Sequence, residues 1–372
     1  MVEGPGVGTV ALDLDDALMW DGVPGQPDAV ALLRAAVAAP VHAYLVVGPT
    51  GAGREELARA FAGGLFADGV ADPAAAGRHR ALAASGRHPD LVAIEPEGRS
   101  LLVVDAERIT REGWRSPIEA RCKVILVDRF HTAEPAAAAS LLKTIEEPPA
   151  SAVFVLLADE VPEEHVTIAS RCVRVDAGPI AAGVLASLLE ADGVDSGRAA
   201  DVAEAAGGSL ERARLLATDP AVVARRDAWR SVPERLDGSG AAVAVLVAEL
   251  RGLIDDAQAP LEARHQQEFE ELAEREEVVG TRGSGRRQLV ERQRREVRRH
   301  RDDELRFGLA TLSRAYLARA HSTPGGNGLP DDPERLLVAT ARITEATGEL
   351  VRNPNELLLL QALLLDLPTG GD

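Results

Sequence analysis

Between Tyr44 and Val175, short runs of β-branched and aliphatic residues alternate with longer stretches rich in Ala, Leu and Glu. This predicts a parallel sheet covered by helices, because strands buried on both faces read as continuous apolar runs and the helices between them keep polar faces. The predicted strands are Tyr44–Val47, Leu91–Ile94, Val124–Val127, Val153–Leu157 and Val173–Val175. Helices are predicted at Arg54–Leu65, at Pro135–Ile145 and around His165–Ser170, the second stopped by Pro148-Pro149, which cannot continue a helix. Past Gly178-Pro179 the strand-like runs cease. Residues 180–220 carry short helical patterns broken at Asp192-Gly193 and Gly207-Gly208. From Ala221 the pattern is helical, with a Gly/Pro-rich break at Thr323–Pro330 and an apolar last helix over Glu356–Leu367. The expected domains are an α/β nucleotide-binding domain over 1–178, a small helical domain over 179–220 and an all-α domain over 221–372.

Length agrees with several domains, each with its own core: the chain has 372 residues, 46% of them hydrophobic. The longest apolar run, Leu357–Leu365 with Gln361 inside it, is too short to span a bilayer, and the first residues lack a basic stretch followed by an apolar core. A cytoplasmic protein with no membrane contact is the expectation. The two cysteines, Cys122 and Cys172, stand far apart without metal-ligand spacing and read as core or near-core thiols. A net charge of −18 sets the chain as a whole against nucleic-acid phosphates, so any DNA contact must be local or shared with other subunits.

Directly after the first predicted strand comes Gly48-Pro49-Thr50-Gly51-Ala52-Gly53-Arg54-Glu55, which has the Gly-x-x-x-x-Gly spacing of a phosphate-binding loop and runs straight into a helix. In a working loop, backbone N–H groups close around phosphates, a Lys reaches the β and γ phosphates and a Ser or Thr hydroxyl holds Mg²⁺. Here Arg54 takes the Lys position and Glu55 the hydroxyl position. Arg54 retains the charge to pair with a phosphate; Glu55 sets a carboxylate where the metal and the triphosphate would lie. The second half of an ATP site is an aspartate ending a hydrophobic strand, followed by a glutamate that orients water. Val124-Ile125-Leu126-Val127-Asp128 supplies the aspartate, a possible Mg²⁺ ligand, but Arg129 follows and cannot activate water. Gly48, Gly51, Gly53, Arg54 and Asp128 are thus the candidate residues of a vestigial ATP site.

Beyond Asp128 run Ala138-Ala139-Ser140-Leu141-Leu142-Lys143-Thr144-Ile145-Glu146-Glu147-Pro148-Pro149 and then Ser170-Arg171-Cys172. Both stretches resemble the clamp-loader branch of the AAA+ ATPases, and within it the delta-prime subunits of bacterial DNA polymerase III. The resemblance extends to Trp20-Asp21-Gly22-Val23-Pro24-Gly25-Gln26, and the Arg-rich C-terminal region resembles the actinobacterial form. It implies an AAA+ domain, a helical lid and a C-terminal collar domain. It also implies partners: clamp-loader subunits of the gamma/tau and delta types, a sliding clamp, and primer-template DNA through the complex. Arg171 is implied as an arginine finger acting in trans on a neighbour's ATP; a helix-capping Arg is the alternative.

Two departures from the family pattern matter. Many relatives carry a four-cysteine zinc module in the stretch corresponding to Leu65–Asp90, which has no cysteine here. His79 and His88 remain and read as surface residues, so no zinc is expected. At Gly208-Ser209-Leu210-Glu211, active loader ATPases place a phosphate-sensing Arg where Glu211 stands, with Arg212 one residue on.

Further along, 262–277 is acidic and 282–306 basic, with Val279–Gly285 between them, a pattern predicting a helical hairpin whose arms pair by charge. The alternative is that Arg286, Arg287, Arg292, Arg294, Arg295, Arg298, Arg299 and Arg301 contact DNA or an acidic partner. Asn353-Pro354-Asn355 is placed to cap the last helix, which is apolar around most of its circumference and predicted to be buried in its own core or against a partner. The sequence expectation is therefore a non-hydrolysing clamp-loader subunit requiring no cofactor of its own, with residual ATP or ADP binding left open. An active ATPase of the gamma/tau type and a DNA-binding module working through the basic helix are the alternatives. Polymerase chemistry has no place in this chain, although it belongs to the holoenzyme that the resemblance implies.

Overall fold

The computed structural model describes residues 16–279, 286–321, 333–350 and 354–369. Of the expected break at Val279–Gly285 only Val279 is described, as the last residue of a helix, and the expected break at Thr323–Pro330 and Asn353 of the expected cap lie outside the described residues. The chain divides into two compact units, Met1–Pro96 with Ser100–Thr218, and Glu97–Arg99 with Asp219–Asp372.

The first unit opens with α1 (Asp16–Asp21) and α2 (Pro27–Ala36), then β1 (Ala43–Val47), α3 (Arg54–Ala67), α4 (Pro73–Ala84), β2 (Leu91–Ile94), α5 (Val103–Gly113) and β3 (Lys123–Val127). It continues with α6 (Pro135–Glu146), β4 (Ala152–Ala158), α7 (Val166–Ala169), β5 (Val173–Asp176), α8 (Ala182–Ala191), α9 (Ser196–Ala206) and α10 (Leu210–Thr218). The five strands form one parallel sheet in the order β2-β3-β4-β1-β5, with the Gly-rich turn leaving a strand inside the sheet. Because β1, β3 and β4 are buried along their whole length, their sequences are apolar runs, broken only by Lys123 at the start of β3, which pairs with Glu112 at 3.2 Å. Their residues alternate between two cores. Tyr44 and Val46 pack with α1, α2 and α3, while Ala43, Leu45 and Val47 pack with α5, α6 and α7. Edge strand β5 is largely exposed, with only Val175 inside. Helix starts follow the local chemistry: Pro27, Pro73 and Pro135 stand in first turns, and Asp72 and Asp195 accept backbone N–H bonds at the starts of α4 and α9.

The second unit is all helical: α11 (Pro220–Arg230), α12 (Val232–Arg235), α13 (Gly240–Val279), α14 (Arg286–His321), α15 (Pro333–Glu349) and α16 (Glu356–Asp366). Its core gathers Trp229, Leu246, Leu250, Leu309 and Tyr316 with Leu360 and Leu364 of α16. The charged arms do pair. Arg292 bonds Glu268, Arg264 reaches Glu296 at 2.7 Å, and Arg301 binds both Asp255 and Glu356. Glu356 also takes Arg251 at 2.9 Å, so one carboxylate at the start of α16 links α13 and α14. These bonds, Glu356 first among them, push the Arg301 guanidinium further up from its already high range. Asn355 caps α16 by accepting from the Leu358 N–H at 3.2 Å. Leu360, Leu363 and Leu364 face the core, whereas Leu358 and Leu365 are exposed. Among the described residues no helix is long and apolar enough to cross a membrane.

Candidate functional site

Parallel strands bind ligands beyond their C-terminal ends, and there the Gly-rich turn, Asp128 and Asp159 come together. Register fixes this: Val47 pairs with Ala158, and Val127 with Leu156, so the residues that follow share one edge. The turn itself is filled by its own chain. A Cβ built on Gly48 would lie 1.8 Å from the Ala177 carbonyl oxygen, and one on Gly51 would lie 1.9 Å from Ser209 Oγ. Gly51 sits at φ +82°, and its carbonyl accepts the Leu210 N–H at 3.1 Å. Buried Gln26 donates through Nε2 to the carbonyls of Ala52, at 2.8 Å, and Gly178, at 2.6 Å. The turn is thereby joined to the segment entering α8 and to the start of α10.

Arg54 stands where a loop cation would reach phosphate, but it is only 7% exposed and already engaged. Its Nη1 lies 2.7 Å from Asp159 Oδ1, an ion pair too poorly aligned to count as a hydrogen bond, and Nη2 donates to Thr50 Oγ1 at 3.3 Å. Thr50 in turn donates to Asp159 at 3.2 Å. Asp159 is also held by His131, whose Nδ1 accepts the Asp159 N–H at 3.1 Å. Glu55 pairs with Arg59 one turn along α3. Burial raises the Glu55 carboxyl above the usual range; Arg59 opposes this, while Glu56 and Asp128 add to it. Arg129, after Asp128, is the one non-glycine residue at positive φ (52°) among the described residues, turning the chain into a short 3₁₀ segment at Phe130–Thr132. At α10, Glu211 is exposed, and the Arg212 guanidinium donates to the Ala206 carbonyl at 3.5 Å. These residues do not fit Mg²⁺-ATP: the cation is taken by Asp159, and Glu55 sets a carboxylate where a hydroxyl would face the metal and the triphosphate, although Asp128 keeps the place of a Mg²⁺ ligand.

Arg171 lies on the other edge of the sheet. Val173 pairs with Tyr44 at the start of β1, so Arg171 precedes the strands' N-terminal ends while the Gly-rich turn follows their C-terminal ends. At about 3.3 Å per strand residue the two are separated by roughly 15–25 Å. Arg171 is half-exposed. Its Nη1 donates to the Thr167 carbonyl at 2.8 Å and to Ser170 Oγ at 3.3 Å, and Nη2 meets Glu146 Oε1 at 2.7 Å. Neighbouring Cys172 donates to the Ile168 carbonyl, and burial pushes its thiol up to about 12, which removes it as a nucleophile.

Residues 25–180 match the protein family described as DNA polymerase III, delta subunit. The match covers less than half of the chain. A delta-prime subunit of DNA polymerase III from Bacillus subtilis is 31% identical over 140 residues, covering 37% of this chain and 43% of that protein. A tau subunit from Salmonella typhimurium is 35% identical over 135 residues, covering 36% of this chain and 21% of that protein. The chain thus aligns with less than half the length of these relatives. Among solved structures, a gamma-subunit-related protein from Thermotoga maritima aligns with a TM-score of 0.43 and 14% identity, over 91% of this chain and 97% of that one.

Within the matched segment the expectation for His79 and His88 needs correction, because both are buried. His88 Nδ1 accepts the Asp90 N–H at 3.0 Å, which in the neutral ring leaves the proton on Nε2, directed at His79 Nδ1 2.7 Å away. Burial first, and then His79, push His88 down to about 4, so the ring is neutral near pH 7. Phe66 stacks on it at 4.0 Å. Two imidazoles that satisfy each other can be buried cheaply, and spacing along the sequence does not reveal this. With Glu119, which pairs with Arg78, they make the one group among the described residues whose ligand atoms lie close enough for a metal. The inferred tautomer points a proton, not a lone pair, into that space, so the donor set does not fit zinc as it stands. Asp90 below the pair is fully buried and accepts N–H bonds from Ile118, Glu119 and Ala120, which outweigh its burial and hold its carboxyl below the usual range.

The sequence reading missed Asp159, Thr50, Gln26 and Ser209. Asp159 carried a signal, since it follows a predicted strand at the same edge as Asp128. Gln26 and Ser209 stand in stretches that the family resemblance singled out, but their role at the turn was not legible, because only the chain crossings bring them there.

Proposed function

We propose that this chain is a non-hydrolysing clamp-loader subunit of DNA polymerase III, of the delta-prime type, that supplies Arg171 to a neighbouring subunit's ATP. It works in a hetero-oligomer with gamma/tau- and delta-type subunits that opens a sliding clamp and places it on primed DNA. The observation that carries this reading is the placement of Arg171: it lies on the sheet edge opposite its own loop, out of reach of that loop, which supports a role at a site on another chain. The closed turn, with Arg54 held by Asp159, supports the other half of the reading.

The tau relatives are as similar in sequence as the delta-prime relatives, which makes an active gamma/tau-type ATPase the second reading. It needs Arg54 and Glu55 to do the work of Lys and Ser/Thr, and their present partners oppose that. A DNA module built on the basic helix is disfavoured by cross-hairpin pairing, which takes up Arg292 and Arg301. Steady-state assay of the purified chain with Mg²⁺-ATP separates the first two readings. No turnover above background is expected, and turnover that disappears in Asp128→Ala would establish the active-ATPase reading instead.

A further inference from the structure

The partner of the candidate finger within its own chain has a role that the finger assignment leaves out. Glu146 ends α6, which descends from the C-terminal edge of the sheet after β3 and so delivers its last residue to the N-terminal edge, where Arg171 stands. The Glu146 carboxylate meets Arg171 Nη2 at 2.7 Å, with both side chains near 40% exposed. Two further bonds hold the same guanidinium from its own turn, through the Thr167 carbonyl and Ser170 Oγ.

We propose that Glu146 is a positioning residue that parks Arg171 in the unengaged subunit and must give up the guanidinium when a neighbour's triphosphate arrives. This rests on the trans-finger reading given above. A carboxylate and a terminal phosphate are both anions competing for one cation, and a guanidinium neutralised by Glu146 stabilises less of the charge that builds on the γ-phosphate. The two roles divide between the partners. Thr167 and Ser170 are neutral acceptors that orient the guanidinium without cancelling its charge, so they can persist in the engaged state. Glu146 is the partner that has to be displaced.

An exposed ion pair suits such a latch. Its strength amounts to a few-fold in an equilibrium constant, enough to bias the resting state and too little to resist a triphosphate that brings further contacts. A buried pair would lock the arginine.

The test uses the reconstituted complex and measures ATP hydrolysis against ATP concentration with the wild-type chain, Glu146→Gln, Glu147→Gln and Arg171→Ala. With Glu146→Gln, the apparent KM for ATP is expected to fall about two- to fivefold with kcat within twofold of wild type, while Glu147→Gln changes neither. A fall in kcat at unchanged KM would overturn the proposal by making Glu146 an orienting partner of the engaged finger. Unchanged kcat and KM would reduce the contact to a surface ion pair. Arg171→Ala separates this from the underlying reading: if it leaves kcat intact, the finger assignment fails and the parking role with it; if it lowers kcat while Glu146→Gln is silent, only the parking role fails.

Discussion

Replacing Arg171 with alanine is expected to lower ATP hydrolysis at the site it enters by about a thousandfold, as loss of a trans arginine finger does in other phosphoryl-transfer sites. The loss should appear in kcat, since the guanidinium acts on charge that develops during transfer. Stability should barely change. The bonds lost are those of a half-exposed side chain to Glu146, Thr167 and Ser170, together worth about 1 kcal/mol or less, so thermal unfolding of the isolated variant should match wild type. Hydrolysis by the reconstituted complex, set beside the unfolding curve of the variant chain, checks both halves. Unchanged hydrolysis would return Arg171 to the role of a residue tying α7 to α6.

Gly48→Ala is expected to act in the opposite sense, through the fold alone. The new methyl would fall 1.8 Å from the Ala177 carbonyl oxygen, and neither backbone is free to move. Gly48 N–H is bonded to the Ala158 carbonyl at 3.0 Å, and the Ala177 N–H to the Val47 carbonyl at 2.7 Å, so both sides of the clash are anchored in the sheet. Backbone overlap of this kind costs about 3–5 kcal/mol, a large share of a domain's stability. Gly53→Ala is the matched control. Gly53 also lies in the loop and at φ +85°, but nothing comes nearer to its built Cβ than Glu56 Oε2 at 4.0 Å. It should lose only about 1–2 kcal/mol, the left-handed penalty. Urea midpoints of the two variants test the difference, and a Gly48→Ala chain within 1 kcal/mol of wild type would show that the packing around the turn is loose. The comparison also bears on why the glycines are present. At Gly48 and Gly51 the chain's own crossings demand glycine, so their retention needs no bound phosphate.

The sheet was legible because a parallel strand buried on both faces leaves an unbroken apolar run, and all five predicted strands fall within one residue of those observed. Helices were read unevenly. α3 and α6 stand out by a Gly-rich entry and a Pro-Pro exit. By contrast, α4 is so rich in Ala that it has no apolar stripe, and α5 is entered through Leu102-Val103-Val104, which reads as strand. Arg54 and Asp128 could be named from motif spacing, and Arg171 from the family resemblance that Ser170-Arg171-Cys172 carries. Their partners could not. Arg54 meets Asp159 only because β4 lies beside β1 in the sheet, and Arg171 meets Glu146 only because α6 returns to the opposite edge. The pairing of the charged arms was legible from opposite blocks of charge, yet the link from Arg301 to Glu356 needed the fold of α16 against α13 and α14.

Calorimetric titration of the isolated chain with Mg²⁺-ATP addresses the central claim most directly, because it asks whether the closed turn still accepts a triphosphate. The account predicts no saturable heat up to millimolar nucleotide, since Arg54 is held by Asp159 and Thr50, and Glu55 occupies the hydroxyl position of the loop. Saturable binding in the micromolar range, lost in Arg54→Ala, would contradict it and make this chain a nucleotide-binding subunit in its own right.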